Sequence, residues 1–264
     1  MRLSNAMDGT GDHPKEIVVC RDRDDLGQRA SAAFVRLATE AISLRGRFSI
    51  ALAGGATPRT LYCSLVSPTW SEKVPWQGVH LFWGDERPVP PDHLDSNYRM
   101  AYETLISRVP IPPENVHRMP GERADLRAAV AEYEETLRTF FQPSREEWPS
   151  FDLILLGIGS DGHIASLFPG APALKEKKRW VVAPYVEKLK APRLTLTLPV
   201  LNHAREIFFL AAGKEKGPVI RDLLSADPLL PALPARRVQP DHGKMTFFLD
   251  QEAAGLIGPK GELP

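Results

Sequence analysis

Short β-branched or aromatic runs alternate along the chain with longer stretches whose apolar residues recur three and four positions apart, the periods of strand and amphipathic helix. Ile17 to Cys20 reads as a strand, and Leu26, Ala30, Ala33, Phe34, Leu37, Ala38, Ala41 and Ile42 then form one stripe of a helix. Phe48 to Ala53 is the next expected strand. After it, Gly54-Gly55-Ala56-Thr57-Pro58 turns the chain into a short helix, with Thr57 suited to the N-cap and Pro58 to the first helical position. Val79 to Trp83 is a third strand. Asp95 or Ser96 suits the cap of a helix through Ile106, and a longer helix is expected from about Ala124 to Phe141, where Leu126, Val130, Tyr133, Leu137 and Phe140 share a face.

Phe151 to Gly157 is hydrophobic without alternation, the pattern of a parallel strand covered on both faces. Trp180 to Ala183, Arg193 to Leu198, Ile207 to Ala212 and Met245 to Leu249 complete the expected strands. The fold class is therefore α/β: an open, mostly parallel, Rossmann-like sheet with helices on both faces. The proline-rich connections Pro143 to Pro149 and Leu224 to Pro240 do not separate halves of different composition, so residues 16–264 read as a single domain. Residues 1–15 read as a loose N-terminal tail. At 264 residues, such a domain buries roughly three quarters of its unfolded surface.

Charge narrows the partners. The 33 basic and 33 acidic side chains cancel to a formal net charge of +0, so no overall field favours nucleic acid or an anionic membrane. No apolar run approaches the ~20 residues that span a bilayer, and the polar start, with Asp8, Asp12 and His13, lacks the apolar core of a signal peptide. Two cysteines, Cys20 and Cys63, in a chain of this length point to a reducing compartment and hence to the cytoplasm. Cys63, among Leu61, Tyr62 and Leu65 of an expected helix, reads as a core residue. No Cys-x-x-Cys, His-x-x-x-His or His-Glu-x-x-His is present, so no metal ligand set is recognisable. The serine-hydrolase elbow is missing too, which leaves water as the attacking group.

Three loops follow expected strands, at the carboxyl edge where open α/β sheets bind ligands. In Ala53-Gly54-Gly55-Ala56-Thr57-Pro58-Arg59, two glycines let the backbone approach a ligand and the helix N-terminus offers free N–H groups to a phosphate; a tight turn without a ligand reads equally well. Phe82-Trp83-Gly84-Asp85-Glu86-Arg87 is either a solvated loop or a site where Arg87, oriented by Asp85, polarises an oxygen-rich substrate. Asp95-Ser96-Asn97-Tyr98 reads as a helix cap and not as a second site. The third loop, Gly157-Ile158-Gly159-Ser160-Asp161-Gly162-His163, contains a formal G-x-G-x-x-G. It lacks the acidic residue about 20 positions on, and Asp161 places a negative charge where a pyrophosphate would sit, so dinucleotide binding is set aside. What remains is His163 on a glycine-rich loop with Asp161 able to orient it. An imidazole, with an ordinary pKa of about 6.5, suits general-base work at neutral pH. His80, His117 and His203 lack that context and read as surface or packing residues.

Together the three loops, with Ile164-Ala165-Ser166-Leu167-Phe168-Pro169 continuing the third, resemble the 6-phosphogluconolactonase family, which shares its fold group with glucosamine-6-phosphate deaminase and ribose-5-phosphate isomerase. Arg193-Leu194-Thr195-Leu196-Thr197 and Gly213-Lys214 add weaker marks. The resemblance implies cofactor-free hydrolysis of a sugar-phosphate lactone, 6-phosphogluconolactone, in the pentose phosphate pathway, by a monomer or weak homodimer. It implies His163 as general base, Asp161 orienting the ring or the water, Arg87 on the developing oxyanion, and Asp85 beside it. The phosphate is then expected on Gly54, Gly55, Ala56 and Thr57 and on the cations Arg193 and Lys214. Ala53 departs from the hydroxyl residue common in the family before the two glycines. The rival deaminases and isomerases follow Asp-Gly-His with Phe-Asn-Glu-Pro, whereas this chain has Ser166-Leu167-Phe168-Pro169, with Phe168 in the glutamate's place. A non-catalytic sugar-phosphate sensor is the other alternative, and it would not need the base.

Overall fold

Asp22, in extended conformation, accepts the Asp25 N–H and so starts α1 (Arg23–Arg45), whose Leu26, Ala30, Phe34, Ala38 and Ala41 are buried. The computed structural model describes residues 2–3, 15–142, 147–225, 227 and 233–257. Its longer helices are α1, α2 (Ala56–Leu65), α3 (Asn97–Thr104), α4 (Leu126–Phe141) and α5 (Gly217–Leu224). The strands are β1 (Arg2–Leu3), β2 (Lys15–Cys20), β3 (Phe48–Leu52), β4 (Val79–Trp83), β5 (Asp85–Glu86), β6 (Leu153–Leu156), β7 (Val181–Val182), β8 (Tyr185–Val186), β9 (Ala191–Pro192), β10 (Leu194–Leu196), β11 (Glu206–Ala211) and β12 (Lys244–Asp250).

Seven strands form the main sheet in the order β1-β2-β12-β11-β6-β3-β4, parallel throughout except for β1. Every residue of β3 and β6 is buried, as a strand covered on both faces requires. The β3/β4 register pairs Phe48 with Val79 and Ala51 with Phe82, so Phe48 and Phe82 point to opposite faces. Phe34 of α1 packs edge-on against Phe48, while Phe140 of α4 packs edge-on against Phe82. The two helices therefore cover opposite faces, and the expected α/β architecture is the one observed.

Several local expectations are corrected. The N-cap of α2 is Gly55 (φ 98°), and Thr57 is already the second helical residue, because the two glycines let the turn close two residues earlier. Cys63 is exposed while Leu61, Tyr62 and Leu65 are buried, since two residues along a helix is a rotation of about 200° away from the inward face. The runs at Trp180 to Ala183 and Arg193 to Leu198 shrink to β7 and β10, which do not join the main sheet. They pair antiparallel with each other, and β10 also pairs antiparallel with β5, in a separate three-stranded sheet. Arg2–Leu3 pairs antiparallel with Ile17–Val18, so that part of the expected tail is a strand; 4–14 lie outside the described residues. His80 and His117 stack in an aromatic cluster with Phe82 and Phe140, as packing residues. Among the described residues, no helix is long and apolar enough to cross a membrane.

Since β6, β3 and β4 are neighbours in that order, the loops that follow them leave the same sheet edge side by side. The turn after β11 leaves next to them.

Candidate active site

His163 stands on the loop after β6, and its Nδ1 lies 2.5 Å from Asp161 Oδ1. The loop is tightly wound: the Gly159 N–H donates to the His163 carbonyl and the Gly162 N–H to the Gly159 carbonyl. A Cβ at Gly159 would fall 2.0 Å from His163 Nδ1 and 2.7 Å from Asp161 Oδ1, so only glycine leaves room for the pair. Ala165, at φ 45°, turns the chain in the left-handed region directly after it. Phe168 then stacks on the imidazole at 4.1 Å between centroids and 20° between planes. Asp161 Oδ2 accepts from Lys188 Nζ at 2.7 Å. Burial works against the Asp161 charge, but the hydrogen bonds from Lys188 and His163 outweigh it and hold the carboxyl far below the usual carboxylate range.

The three loops are tied by buried polar groups. Asp85, buried on β5, accepts from Ser166 Oγ (2.7 Å) and Asn97 Nδ2 (3.2 Å). The expected pairing of Asp85 with Arg87 does not form, because both carboxylate oxygens face these neutral donors. Glu86, also buried, accepts the N–H groups of Arg87, Asn97 and Tyr98 and the Ser96 hydroxyl. Burial still pushes its carboxyl above the ordinary range. Ser96 is the N-cap of α3, accepting the Arg99 N–H, as a cap reading of this segment predicts. Asn97 does more than begin a helix: its amide bonds the Asp85 carbonyl at 2.9 Å and fills the space in front of Gly54, where a Cβ would meet it at 2.0 Å.

Cations gather on this frame. Arg87 donates Nη1 to the Asp95 carbonyl at 2.5 Å, while its Nε is buried with no partner. Burial, and then the like charge of Arg87 nearby, lower the Arg193 pKa. Such a pair favours an anion between them. No side chain caps α2, and its first N–H groups lie at the end of the Gly54-Gly55 turn. In the turn after β11, Lys214 is exposed, whereas half-buried Lys216 donates Nζ to the Ile158 carbonyl at 2.8 Å. The 3₁₀ geometry of residues 214–216 sends lysines two apart in different directions.

The structure brings His163 and Asp161 together as expected and sets Arg87 on the neighbouring loop; it adds Lys188, Lys216 and the bracing contacts of Asn97 and Ser166, which sequence reasoning did not single out, and it stacks Phe168 on the imidazole. A Gly-x-x-Lys spacing at Gly213 and Lys216, ahead of the helix-starting Gly217-Pro218, was the one available signal for the lysine. Among the described residues, no group of three or more His, Cys, Asp or Glu is placed to hold a metal ion.

Residues 21–247 match the family described as glucosamine-6-phosphate isomerases/6-phosphogluconolactonase. A 6-phosphogluconolactonase of Synechocystis sp. is 41% identical over 244 residues, 92% of this chain and 99% of that protein. One from Nostoc sp. is 40% identical over 92% of this chain and 98% of its own length. Among solved structures, the 6-phosphogluconolactonase of Trypanosoma brucei superposes with a TM-score of 0.82 at 32% identity, covering 94% of this chain and 100% of that one.

Proposed function

The chain belongs to the glucosamine-6-phosphate isomerase/6-phosphogluconolactonase family, and from that premise we propose how its site performs the family's lactone hydrolysis. The protein is a 6-phosphogluconolactonase, a hydrolase converting 6-phospho-D-glucono-1,5-lactone to 6-phospho-D-gluconate in the pentose phosphate pathway. The observation that carries the mechanism is the His163–Asp161 contact of 2.5 Å. An ionised Asp161 accepts the proton on Nδ1, which leaves Nε2 unprotonated and able to take a proton from water. The resulting hydroxide attacks the lactone carbonyl. As the tetrahedral intermediate collapses, the C1–O5 bond breaks and the ring oxygen leaves with the proton from the imidazolium.

Arg87 stabilises the charge that develops on the carbonyl oxygen, a role supported by its buried, unpartnered Nε. The phosphate sits on the uncapped N-terminus of α2, at Gly54, Gly55, Ala56 and Thr57, with Arg193 and the turn carrying Lys214 and Lys216. Asp85 acts as a brace between loops and not as a base. The stacking of Phe168 on His163 favours hydrolysis over the deaminase chemistry, which needs a carboxylate near that position. The enzyme works in the cytoplasm as a monomer or weak homodimer; both cysteines being free thiols supports that compartment.

The decisive assay generates 6-phosphogluconolactone in situ and follows its disappearance with and without the protein. Disappearance at the background rate in both samples would overturn the reading.

A further inference from the structure

We propose that Lys188 is a positioning residue for the general base: it holds the Asp161 carboxylate in the one orientation that fixes the His163 tautomer. The inference rests on the hydrolytic reading for its effect on rate, but not for its effect on the imidazole itself. Asp161 is shared among three donors: Oδ1 accepts from His163 Nδ1 at 2.5 Å and from the His163 backbone N–H at 3.3 Å, and Oδ2 accepts from Lys188 Nζ at 2.7 Å. The imidazole and the ammonium are the charged partners that act on the carboxyl. The other cation near this loop, Lys216, is engaged three residues upstream, on the Ile158 carbonyl.

A short hairpin brings Lys188 there. Tyr185 pairs with Pro192 and Val186 with Ala191, forming a two-stranded hairpin whose tip is a single 3₁₀ turn, Glu187–Leu189. Lys190, at φ 48°, reverses the chain, and the Arg193 N–H closes the base on the Pro184 carbonyl. The hairpin lies between β7 and β10, so its base is set by the small sheet that also holds β5. The lysine is largely exposed, at 60% of its side-chain surface, and an exposed ion pair of this kind adds little to folding stability. Its consequence is orientational. Asp161 is itself 24% exposed, and without the ammonium only the 3.3 Å bond from the His163 backbone N–H opposes a turn of its carboxylate toward water and the release of Nδ1–H. Groups that orient metal-ligating histidines typically change activity by about one to two orders of magnitude, and an orienting partner of a general base is expected at the lower end of that range.

The test compares wild type with Lys188→Met, Lys188→Gln and Lys188→Arg. It uses steady-state kinetics and the imidazole ¹⁵N shifts of His163 in the ligand-free enzyme. Lys188→Met should lower kcat about tenfold with KM little changed, and the ring should show mixed tautomers. Lys188→Gln should recover part of kcat and of the single tautomer through its hydrogen bond, and Lys188→Arg should restore both. A Lys188→Met enzyme with wild-type kcat and ¹⁵N shifts overturns the proposal. So does a rise in KM alone, which would make Lys188 a substrate contact. Should wild type fail to hydrolyse the lactone, the activity reading falls, and the ¹⁵N shifts still decide the role of Lys188.

Discussion

Ser166 Oγ donates to Asp85 Oδ2 at 2.7 Å across 81 residues of sequence, and both groups are buried. This bond joins the loop that carries His163 to the strand that leads into Arg87. Because the bond is buried, its loss leaves an oxygen desolvated without a partner. Ser166→Ala should therefore lower stability by roughly 1–3 kcal/mol and reduce kcat/KM severalfold through misplacement of the two loops. Urea unfolding and steady-state kinetics on the same preparation check both effects. A stable variant with unimpaired kinetics would show that the loops are positioned without this bond.

His163→Ala should lower kcat by roughly 10²–10⁴-fold, the contribution of a positioned proton acceptor. The imidazole sits on a loop, partly exposed, with one polar partner and one stacked ring, so circular dichroism and the unfolding midpoint should stay close to wild type. Background hydrolysis must be subtracted, since lactones open unaided. Near-wild-type turnover in a folded variant would reduce this histidine to a structural residue.

Gly159→Ala tests the winding of the loop without replacing a reacting group. Its new methyl would fall 2.0 Å from His163 Nδ1, so the imidazole and Asp161 must separate. The expected outcome is a fall in kcat of about 10²-fold, approaching that of His163→Ala, with KM changed far less. Retained turnover would mean that the loop can open without losing the dyad.

Arg193→Ala and Lys214→Ala test the phosphate site. Each should chiefly raise KM, and unphosphorylated gluconolactone should be a poor substrate for the wild type, because charge-assisted contacts to the phosphate are then unused. Lys216→Ala belongs in the same series, since Lys216 reaches the loop after β6. Unchanged KM in all three variants would move the phosphate elsewhere.

Stability should fall with acid through the His80–His117 pair, whose nitrogens are 3.3 Å apart. Burial lowers both imidazoles, helped at His80 by Arg47 and at His117 by His80, which brings His117 down to about 4. The unfolded chain, titrating near 6.5, then binds more protons than the folded one in this window. Stability is therefore full above that unfolded value and is lost as pH falls toward 4. Urea midpoints between pH 7.5 and 4.5 should show the loss, and His117→Gln should flatten it. An equal slope in the variant would assign the acid sensitivity to other groups.

The alternation of strand and helix is written locally, in periods of two and of 3.6, which is why β3, β4, β11, β12 and α4 stand where the hydrophobic pattern places them. Asp161 and His163 are equally local: they are two residues apart on a loop whose glycines announce a close turn. The neighbours β6, β3 and β4 are not adjacent in sequence, and their order in the sheet brings the three loops together. Lys188 meets Asp161 from 27 residues away and Ser166 meets Asp85 from 81. No periodicity carries such pairings, because they arise from where the sheet and the hairpin place distant backbone. The same holds for Thr57 and the choice between Lys214 and Lys216. In each case a shift of one or two residues in a turn rotates a side chain by 100° or more, and only the packed backbone settles which way it points.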